Sequence, residues 1–312
     1  MNKYINLSRI EFVITNACTG RCRHCSVGTG VDAPVSFLQR DKALGIISEL
    51  ADLYSIESVM TFGGEPLLHA ESVCAIHKMA TDCGIPKRQV ITNGFFTKDP
   101  ERMAIVAKAL GESGVNSLLL SVDAFHREHI PMDQVHVFAK MLCVQKIAGF
   151  TLHPAWVVNR KHENPFNLET DTCLQSFSDL DIPVSDGNDI FPSGNAAVYL
   201  FEYYDKKAFN LSARCGEAPY TTRLDNVETI SVNPNGDIMV CCFAIGNINR
   251  ESITDVLKRY DPYENPFMKT LLTDGARGLM DLAEAKGFKP DASQHFSACG
   301  LCREIVGKLV GA

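Results

Sequence analysis

Two patterns of apolar residues alternate along the first two-thirds of the chain. Short apolar runs between turn residues predict β-strands, and stretches with apolar positions three or four residues apart predict the helices that follow them. This alternation is typical of βα units that build a parallel sheet. The predicted strands are "RIEFVIT" (9–15), "SVMTF" (58–62), "RQVIT" (88–92), "SLLLSV" (117–122), "TLHPAWVV" (151–158) and a sixth within "DIPVSDGNDIF" (181–191).

Six βα units are too few for a closed eight-stranded barrel, but right-handed crossovers curl them into a partial one. We therefore predict an α/β fold with a partial (β/α)6 TIM barrel over residues 1–200. The rhythm stops near residue 200. The later run "ETISVNPNGDIMVCC" (228–242) predicts a hairpin that turns at "NPNG". Residues 201–312 are therefore expected to form a smaller α+β domain.

Composition narrows the classes of function. With 312 residues, 46% of them hydrophobic, the chain can bury a full core and is expected to be folded throughout. Its formal charge of -7, without a dense Lys/Arg stretch, argues against a nucleic-acid partner. The chain shows neither a signal-peptide pattern nor an apolar run long enough for a bilayer. We expect a cytoplasmic protein without a membrane partner.

The twelve cysteines are the chain's most informative residues, because cytoplasmic thiols stay reduced and available to metals. The first group, Cys18, Cys22 and Cys25 in "CTGRCRHC", directly follows the first predicted strand. Three thiolates on one loop can hold three corners of a cubane and leave the fourth iron open. By spacing alone, a zinc site that adds His24 also remains possible.

Other polar and glycine-rich segments follow the next strands, at the end of a barrel where active sites lie. They are "GGEP" (63–66), "TNG" (92–94) and "SVDAFH" (121–126). Glycines let a backbone approach a ligand closely. Polar residues at strand ends also commonly cap the next helix, and His126 is expected to be structural.

The cysteine motif and "GGEP" resemble the two signatures of the radical S-adenosylmethionine (SAM) superfamily. The resemblance implies a 4Fe-4S cluster on Cys18, Cys22 and Cys25, with SAM on its open iron. One electron from a reductant such as flavodoxin or ferredoxin would then cleave SAM to a 5'-deoxyadenosyl radical. The residues expected to contact SAM are Gly63, Gly64, Glu65, Thr92, Asn93, Ser121 and Asp123, with Glu65 accepting from the SAM amino group.

A second group of five thiols lies late in the chain, at Cys215, Cys241, Cys242, Cys299 and Cys302. Four thiols suffice for a fully ligated iron–sulfur cluster or for a zinc site. The spacing resembles the auxiliary-cluster extensions called twitch or SPASM domains. That resemblance implies a second 4Fe-4S cluster on Cys215, Cys241, Cys299 and Cys302.

Cys242 is then left over. Neighbouring strand residues face opposite sides, so Cys242 points away from the cluster if Cys241 faces it; a bulge would reverse the two roles. "GDIMVCC" followed by "CGLC" resembles the radical SAM epipeptide epimerases, which act on ribosomally synthesised peptides. In that family the corresponding thiol returns a hydrogen atom to the substrate, which implies a catalytic role for Cys242.

The expected activity is therefore conversion of L- to D-residues in a ribosomally synthesised precursor peptide. With eight residues before the first predicted strand, we expect the barrel mouth and the smaller domain to hold this peptide. Alternatives are a thioether or carbon–carbon crosslinking enzyme and a small-molecule dehydrogenase. The tail "VGKLVGA" lacks the double glycine associated with molybdopterin-precursor synthesis, so that activity is not expected. The pattern of strand-end motifs disfavours a non-enzymatic iron–sulfur electron carrier.

Overall fold

A computed structural model describes residues 2–26, 36–205, 209–217 and 223–310. Their contacts divide the chain into two compact units. The larger unit holds Ile10–Tyr203 and Asn233–Asn235, and the smaller unit holds the remaining residues up to Arg9 and from Tyr204 onward. The sequence places the boundary after residue 200 and does not assign the first residues to the second unit.

The larger unit is an α/β structure, as predicted. Its main strands occur in the order β1-β2-β3-β4-β5, and the pairs from β2 to β5 are parallel. Its strands are β1 (Ile5–Val13, shared between the units), β2 (Ser58–Phe62), β3 (Lys87–Thr92), β4 (Ser117–Ser121), β5 (Gly149–His153), β6 (Ala155–Trp156) and β7 (Asn188–Asp189). Its helices are α1 (Arg40–Leu53), α2 (Ala70–Asp82), α3 (Pro100–Glu112), α4 (Ala124–Arg127), α5 (Met132–Val144), α6 (Pro165–Gln175) and α7 (Asn195–Tyr199).

The fifth and sixth predicted strands differ from the observed ones. The run "TLHPAWVV" is divided into β5 and β6 at Pro154, which has no N–H group to donate to a strand ladder. Within the predicted sixth strand, only β7 is a strand of its own. It pairs in parallel with β6 in a separate two-stranded sheet. The sixth βα unit is therefore much weaker than the first five.

Local signals explain where several helices begin. Asp99 accepts a hydrogen bond from the backbone N–H of Glu101, and Pro100 opens α3. Asn164 and Pro165 act in the same way at α6. A capping oxygen followed by proline satisfies an otherwise unpaired N–H and fixes the first helical φ. These helices present fully buried residues such as Leu110 to the core.

In its described residues, the smaller unit contains an antiparallel meander and four α-helices. β8 (Val227–Val232) pairs with β9 (Asp237–Val240), which pairs with β10 (Phe243–Asn247). The predicted hairpin between β8 and β9 is present, and Gly236 supplies a positive φ of 90° at its turn. The sequence analysis missed β10. The helices are α8 (Ile253–Arg259), α9 (Pro266–Thr273), α10 (Gly275–Ala285) and α11 (Ala298–Val310).

Within the described ranges, every helix is too short or too polar to cross a bilayer.

Candidate active site

The loop that carries the first cysteines is attached to the segment after β2 by backbone hydrogen bonds. Ile14 donates to the carbonyl of Phe62 at 2.8 Å, and Gly64 donates to that of Thr15 at 2.7 Å. Glu65 then donates to Ala17 at 2.8 Å. This ladder extends the pairing of β1 with β2 to the residue before Cys18. One function of "GGE" is therefore to fix the start of the cysteine loop.

Both glycines of this segment are needed sterically. A Cβ on Gly64 would lie 2.0 Å from the carbonyl oxygen of Ala17, and one on Gly63 would lie 2.4 Å from that of Thr15. Gly63 also has a φ of 151°, which side chains rarely adopt. The sequence analysis expected these glycines to allow close approach of a ligand. The structure shows close approach of the chain's own backbone.

The three cysteines occupy a short, folded loop. The N–H of Gly20 lies 3.3 Å from Sγ of Cys18. A Cβ on Gly20 would lie 3.2 Å from Sγ of Cys22 and 3.9 Å from that of Cys18, so both sulfurs flank this glycine. Cys22 is buried, whereas Cys18 and Cys25 are partly exposed. Burial raises the pKa of the Cys18 thiol to about 11 and shifts that of Cys22 in the same direction.

A distant segment supports the end of this loop. The backbone N–H of Asn195 donates to the carbonyl of Cys25 at 2.9 Å, and its side-chain amide donates to that of Cys22 at 3.1 Å. Gly194 has a φ of 55°, and a Cβ there would lie 2.5 Å from the carbonyl oxygen of Ser26. The sequence analysis missed this support. Its only local signal is the "SGN" turn at 193–195.

Glu65 connects the ends of β2 and β3. Its carboxylate accepts from Thr92 Oγ1 at 2.6 Å and from the N–H of Leu67 at 2.9 Å on one oxygen. The other oxygen accepts from the N–H of Asn93 at 2.8 Å. Glu65 is fully buried, and burial raises its pKa although these hydrogen bonds oppose the shift. The Glu65 carboxylate thus accepts three hydrogen bonds from within the protein. Its expected contact with SAM stays a prediction.

Asn93 reaches the cysteine loop directly. Its side-chain amide donates to Thr19 Oγ1 at 3.1 Å and lies 3.7 Å from Sγ of Cys18. Its Oδ1 accepts from the N–H of Phe95 at 2.8 Å. Two residues of the predicted SAM site, Glu65 and Asn93, are therefore joined to the first cysteine in one polar network.

The other two predicted SAM contacts lie at the end of β4 and just after it. Ser121 is buried and lies opposite His153 in the parallel register of β4 and β5. Asp123 caps α4 through the N–H groups of Phe125 and His126, and both its oxygens lie 2.9 Å from Nδ1 of His126. Burial alone would raise the pKa of Asp123, but the His126 imidazole lowers it to about 2. Both Asp123 and His126 are thus structural in part, as the capping alternative expects.

The first cysteine loop offers three sulfur donors to the iron–sulfur cluster that the resemblance implies. Cys18, Cys22 and Cys25 share one loop, and all twelve cysteines lie in the described residues without a disulfide. A metal would favour the thiolates by replacing their protons, against the effect of burial. The donor set fits a cluster held by three sulfurs. His24 lies within ring contact of Phe125 and His126, at 4.9 and 5.1 Å between centroids.

The second cysteine group is also brought together, within the smaller unit. Cys299 and Cys302 are three residues apart on α11, so they lie on one helix face. Sγ of Cys302 lies 4.0 Å from Sγ of Cys242. Burial raises the pKa of Cys215 to about 12, and the nearby thiols of Cys241 and Cys299 add to that shift. The donor set fits a site with four sulfur ligands and one thiol in excess.

Cys241 and Cys242 differ from the prediction in one respect. They are the two turn residues between β9 and β10, since Val240 pairs with Phe243 across the hairpin. Cys241 has a φ of 55°, in the left-handed region that such two-residue turns require. The strand alternation used to assign their directions therefore does not apply. Turn geometry, not pleating, separates the two thiols.

Two known protein families match separate parts of this chain. The family described as "Radical SAM superfamily" matches residues 12–149, and the family described as "Iron-sulfur cluster-binding domain" (SPASM) matches residues 226–303. The chain therefore contains a radical SAM domain and a SPASM domain. These domains imply a 4Fe-4S cluster that works with SAM and an auxiliary cluster, which confirms the cofactors expected from the sequence.

Solved radical SAM structures share the fold. Streptococcus suis SuiB bound to S-adenosylmethionine superposes with a TM-score of 0.54 at 14% identity, covering 93% of this chain and 78% of SuiB. SuiB bound to precursor peptide SuiA gives a TM-score of 0.53 at 15% identity, over 83% of this chain and 66% of that one. Native anSMEcpe with bound AdoMet gives 0.50 at 13%, over 98% and 97%. At these identities the similarity concerns the fold.

Curated relatives with higher sequence identity are named GTP 3',8-cyclase. GTP 3',8-cyclase of Limosilactobacillus fermentum is 32% identical over 130 residues, 41% of this chain and 36% of the relative. The enzyme of the same name from Lactiplantibacillus plantarum is 31% identical over 127 residues, 40% and 35% of the two chains. The match thus spans about a third of the length of each relative.

Proposed function

We propose that this radical SAM protein epimerises residues of a ribosomally synthesised peptide, with Cys242 as the hydrogen-atom donor. The observation that carries the proposal is the five-thiol group of the smaller unit. Four sulfurs complete a cubane, so one thiol remains beside it. An epimerase needs such a thiol, because a planar carbon radical must receive hydrogen on the face opposite to the one that lost it.

The arrangement supports Cys242 as the remaining thiol. Cys241 interacts with both Cys215 and Cys299, as the pKa shifts of those two thiols indicate. Sγ of Cys242 lies 4.0 Å from Sγ of Cys302, and Cys242 also contacts Cys241, with which it shares the turn. A hydrogen bond with Cys241 lowers the pKa of Cys242, but the thiol of Cys302 and burial outweigh it and raise the pKa to about 12.

The roles of the residues follow. Cys18, Cys22 and Cys25 would hold the first cluster, and Cys215, Cys241, Cys299 and Cys302 the second. When bound, the first cluster and SAM would supply a carbon-centred radical able to remove the α-hydrogen of a substrate residue. Cys242 then gives its hydrogen atom to the substrate carbon and becomes a thiyl radical. Its return to a thiol takes one electron and one proton, for which a flavodoxin or ferredoxin is the expected electron source.

SAM binding is assigned to the polar network around the first cysteines. Gly63, Gly64 and Glu65 fix the loop, and Asn93 stands beside Cys18. Thr92, Ser121 and Asp123 complete the set at the ends of β3 and β4. The solved structure of SuiB with a precursor peptide shares this fold and motivates the choice of a peptide substrate.

The test uses the full chain with its clusters reconstituted anaerobically, SAM, a reductant and peptides encoded by small reading frames beside its gene. In heavy water, epimerisation adds one deuterium per event. Cys242→Ala should still cleave SAM and bind both clusters but lose deuterium incorporation. Cys241→Ala should instead lose iron from the second cluster. The reverse result for the two variants would overturn the assignment of Cys242.

A nucleotide substrate is the second candidate, because the curated relatives are named GTP 3',8-cyclase. The same assay with GTP in place of the peptides distinguishes the two. Consumption of GTP without change in any peptide would replace the epimerase proposal. Loss of two hydrogens from a peptide would instead indicate a crosslink or a dehydrogenation.

A further inference from the structure

Cys22, His24 and His126 form a group of which the cluster assignment uses only Cys22. Each residue offers one ligand atom, and the three atoms lie within 4.8 Å of one another. Among the described residues, this is the group of three or more His, Cys, Asp or Glu side chains whose ligand atoms lie that close together. Cys22 and His24 come from the cysteine loop, and His126 comes from α4. All three belong to the larger unit.

The surroundings of the group are those of a metal site. Nδ1 of His24 is buried and finds no hydrogen-bond partner among the described residues. Nδ1 of His126 faces both oxygens of Asp123, a side chain only 1% exposed, so Nε2 remains as its ligand atom. A carboxylate that holds the second nitrogen of a metal-binding histidine is a common arrangement at zinc sites. The third donor, Cys22, is buried as well.

One thiolate and two imidazoles suit zinc, with water as a fourth ligand. Zinc binds sulfur at about 2.3 Å and nitrogen at about 2.0–2.1 Å, so tetrahedral ligand atoms lie about 3.5 Å apart. The three atoms must therefore approach each other by about 1 Å. Binding would release the thiol proton of Cys22 to solvent, with no change of oxidation state.

We propose that Cys22, His24 and His126 bind Zn²⁺ in the chain before its first cluster is installed, and that this zinc excludes the cluster. Exclusion follows because one sulfur, that of Cys22, is required by both. Zinc binding is independent of the proposed peptide substrate. Only the exclusion rests on Cys22 being a cluster ligand, as assigned under the proposed function.

The test measures zinc bound to the full, cluster-free, reduced chain at a buffered concentration of free Zn²⁺. The wild type should bind about two equivalents, one here and one at the five thiols of the smaller unit. His126→Ala, His24→Phe and Cys22→Ala should each bind about one. The matched control is His136→Gln on α5, whose ring pairs with Asp179 and which should keep both equivalents.

Two further measurements keep the result clear if a variant folds poorly. Asp123→Asn retains a capping oxygen but loses the carboxylate, and should weaken zinc binding at this site by about 10–100-fold. Fluorescence of Trp156, the chain's one tryptophan, reports whether each variant's larger unit is folded. Two equivalents in folded His24→Phe and His126→Ala would overturn the zinc site.

The exclusion has its own readout in iron content. Wild-type chain preloaded with zinc should take up about four fewer iron atoms than zinc-free chain when only the first site is limiting. In His126→Ala, zinc should make no such difference at this site. Zinc binding as expected with undiminished iron uptake would refute the exclusion and leave the zinc site standing.

Discussion

Gly64 offers a direct test of how the cysteine loop is held. In Gly64→Ala the new methyl group would meet the carbonyl oxygen of Ala17 at 2.0 Å, which forces the two backbones apart. The hydrogen bonds from Gly64 to Thr15 and from Glu65 to Ala17 would then be lost. Each contributes about 0.5–1.5 kcal/mol, and unsatisfied polar groups add to the loss. We expect the larger unit to lose about 2–4 kcal/mol of unfolding free energy.

Urea unfolding of the cluster-free chain, followed by fluorescence of Trp156, measures this loss. Trp156 is fully buried in the larger unit, so its signal reports on that unit. Gly45→Ala is the matched control. Gly45 lies in α1, and a Cβ there meets nothing within 4 Å, so alanine should stabilise the helix by about 0.5–1 kcal/mol.

The two glycines therefore predict opposite signs for the same substitution. If Gly64→Ala lowered the unfolding free energy by less than about 0.5 kcal/mol, the close backbone contact would not be what requires glycine. A normal stability combined with lost SAM binding would return the glycine to the role expected from the sequence, close approach of a ligand.

Three further predictions concern other parts of the molecule. His77 is fully buried beside Thr61, with Nε2 at 2.9 Å from Oγ1, and burial lowers its pKa to about 3. Since the unfolded histidine takes up a proton near pH 6.5, stability falls as the pH drops through the window from 6.5 to 3. Between pH 8 and pH 5 the loss is about 2 kcal/mol, and urea unfolding of His77→Gln at both values should show a correspondingly smaller dependence. Glu65→Gln places an NH2 group among three hydrogen-bond donors, so the unfolding free energy measured by Trp156 fluorescence should fall by about 1–3 kcal/mol. The control Glu71→Gln, on the exposed face of α2, should change that free energy by less than about 0.5 kcal/mol. Iron content should fall from about eight to about four atoms per chain in Cys18→Ala and in Cys302→Ala. The control Cys143→Ala changes an exposed cysteine and should keep both clusters. Undiminished iron in either of the first two variants would exclude that cysteine as a ligand.

Much of the fold was predictable because its signals are local. β2, β3 and β4 match their apolar runs to within one residue, whereas β1 begins at Ile5, four residues before its predicted start. Caps such as Asp99 and Asn164 mark helix starts. The weak sixth strand was not predictable in this way. Its run is mixed in polarity and interrupted. β7 pairs with the two residues of β6, and Val184 of the same run forms an isolated bridge with Leu152 of β5.

The arrangement of the second cysteine group shows the limit of pattern reasoning. The sequence "VCCF" fits a continuous strand with alternating faces, yet the chain reverses at the two cysteines. The deciding factor is the pairing of β9 with β10, which needs a two-residue turn and a left-handed φ at Cys241. The residue types do not predict this turn, because cysteine is an unusual residue at a position with a left-handed φ.

The sequence by itself identified the candidate residues: three thiols on one loop, polar residues at successive strand ends, and five late thiols. These depend on spacing along the chain, which a short loop or helix turn converts directly into proximity. Only the tertiary structure decided what surrounds them. Gly64 against Ala17, Asn195 against Cys22 and His126 against His24 are contacts between segments far apart in sequence. Such contacts arise when the strands align, and no local pattern of residues encodes them.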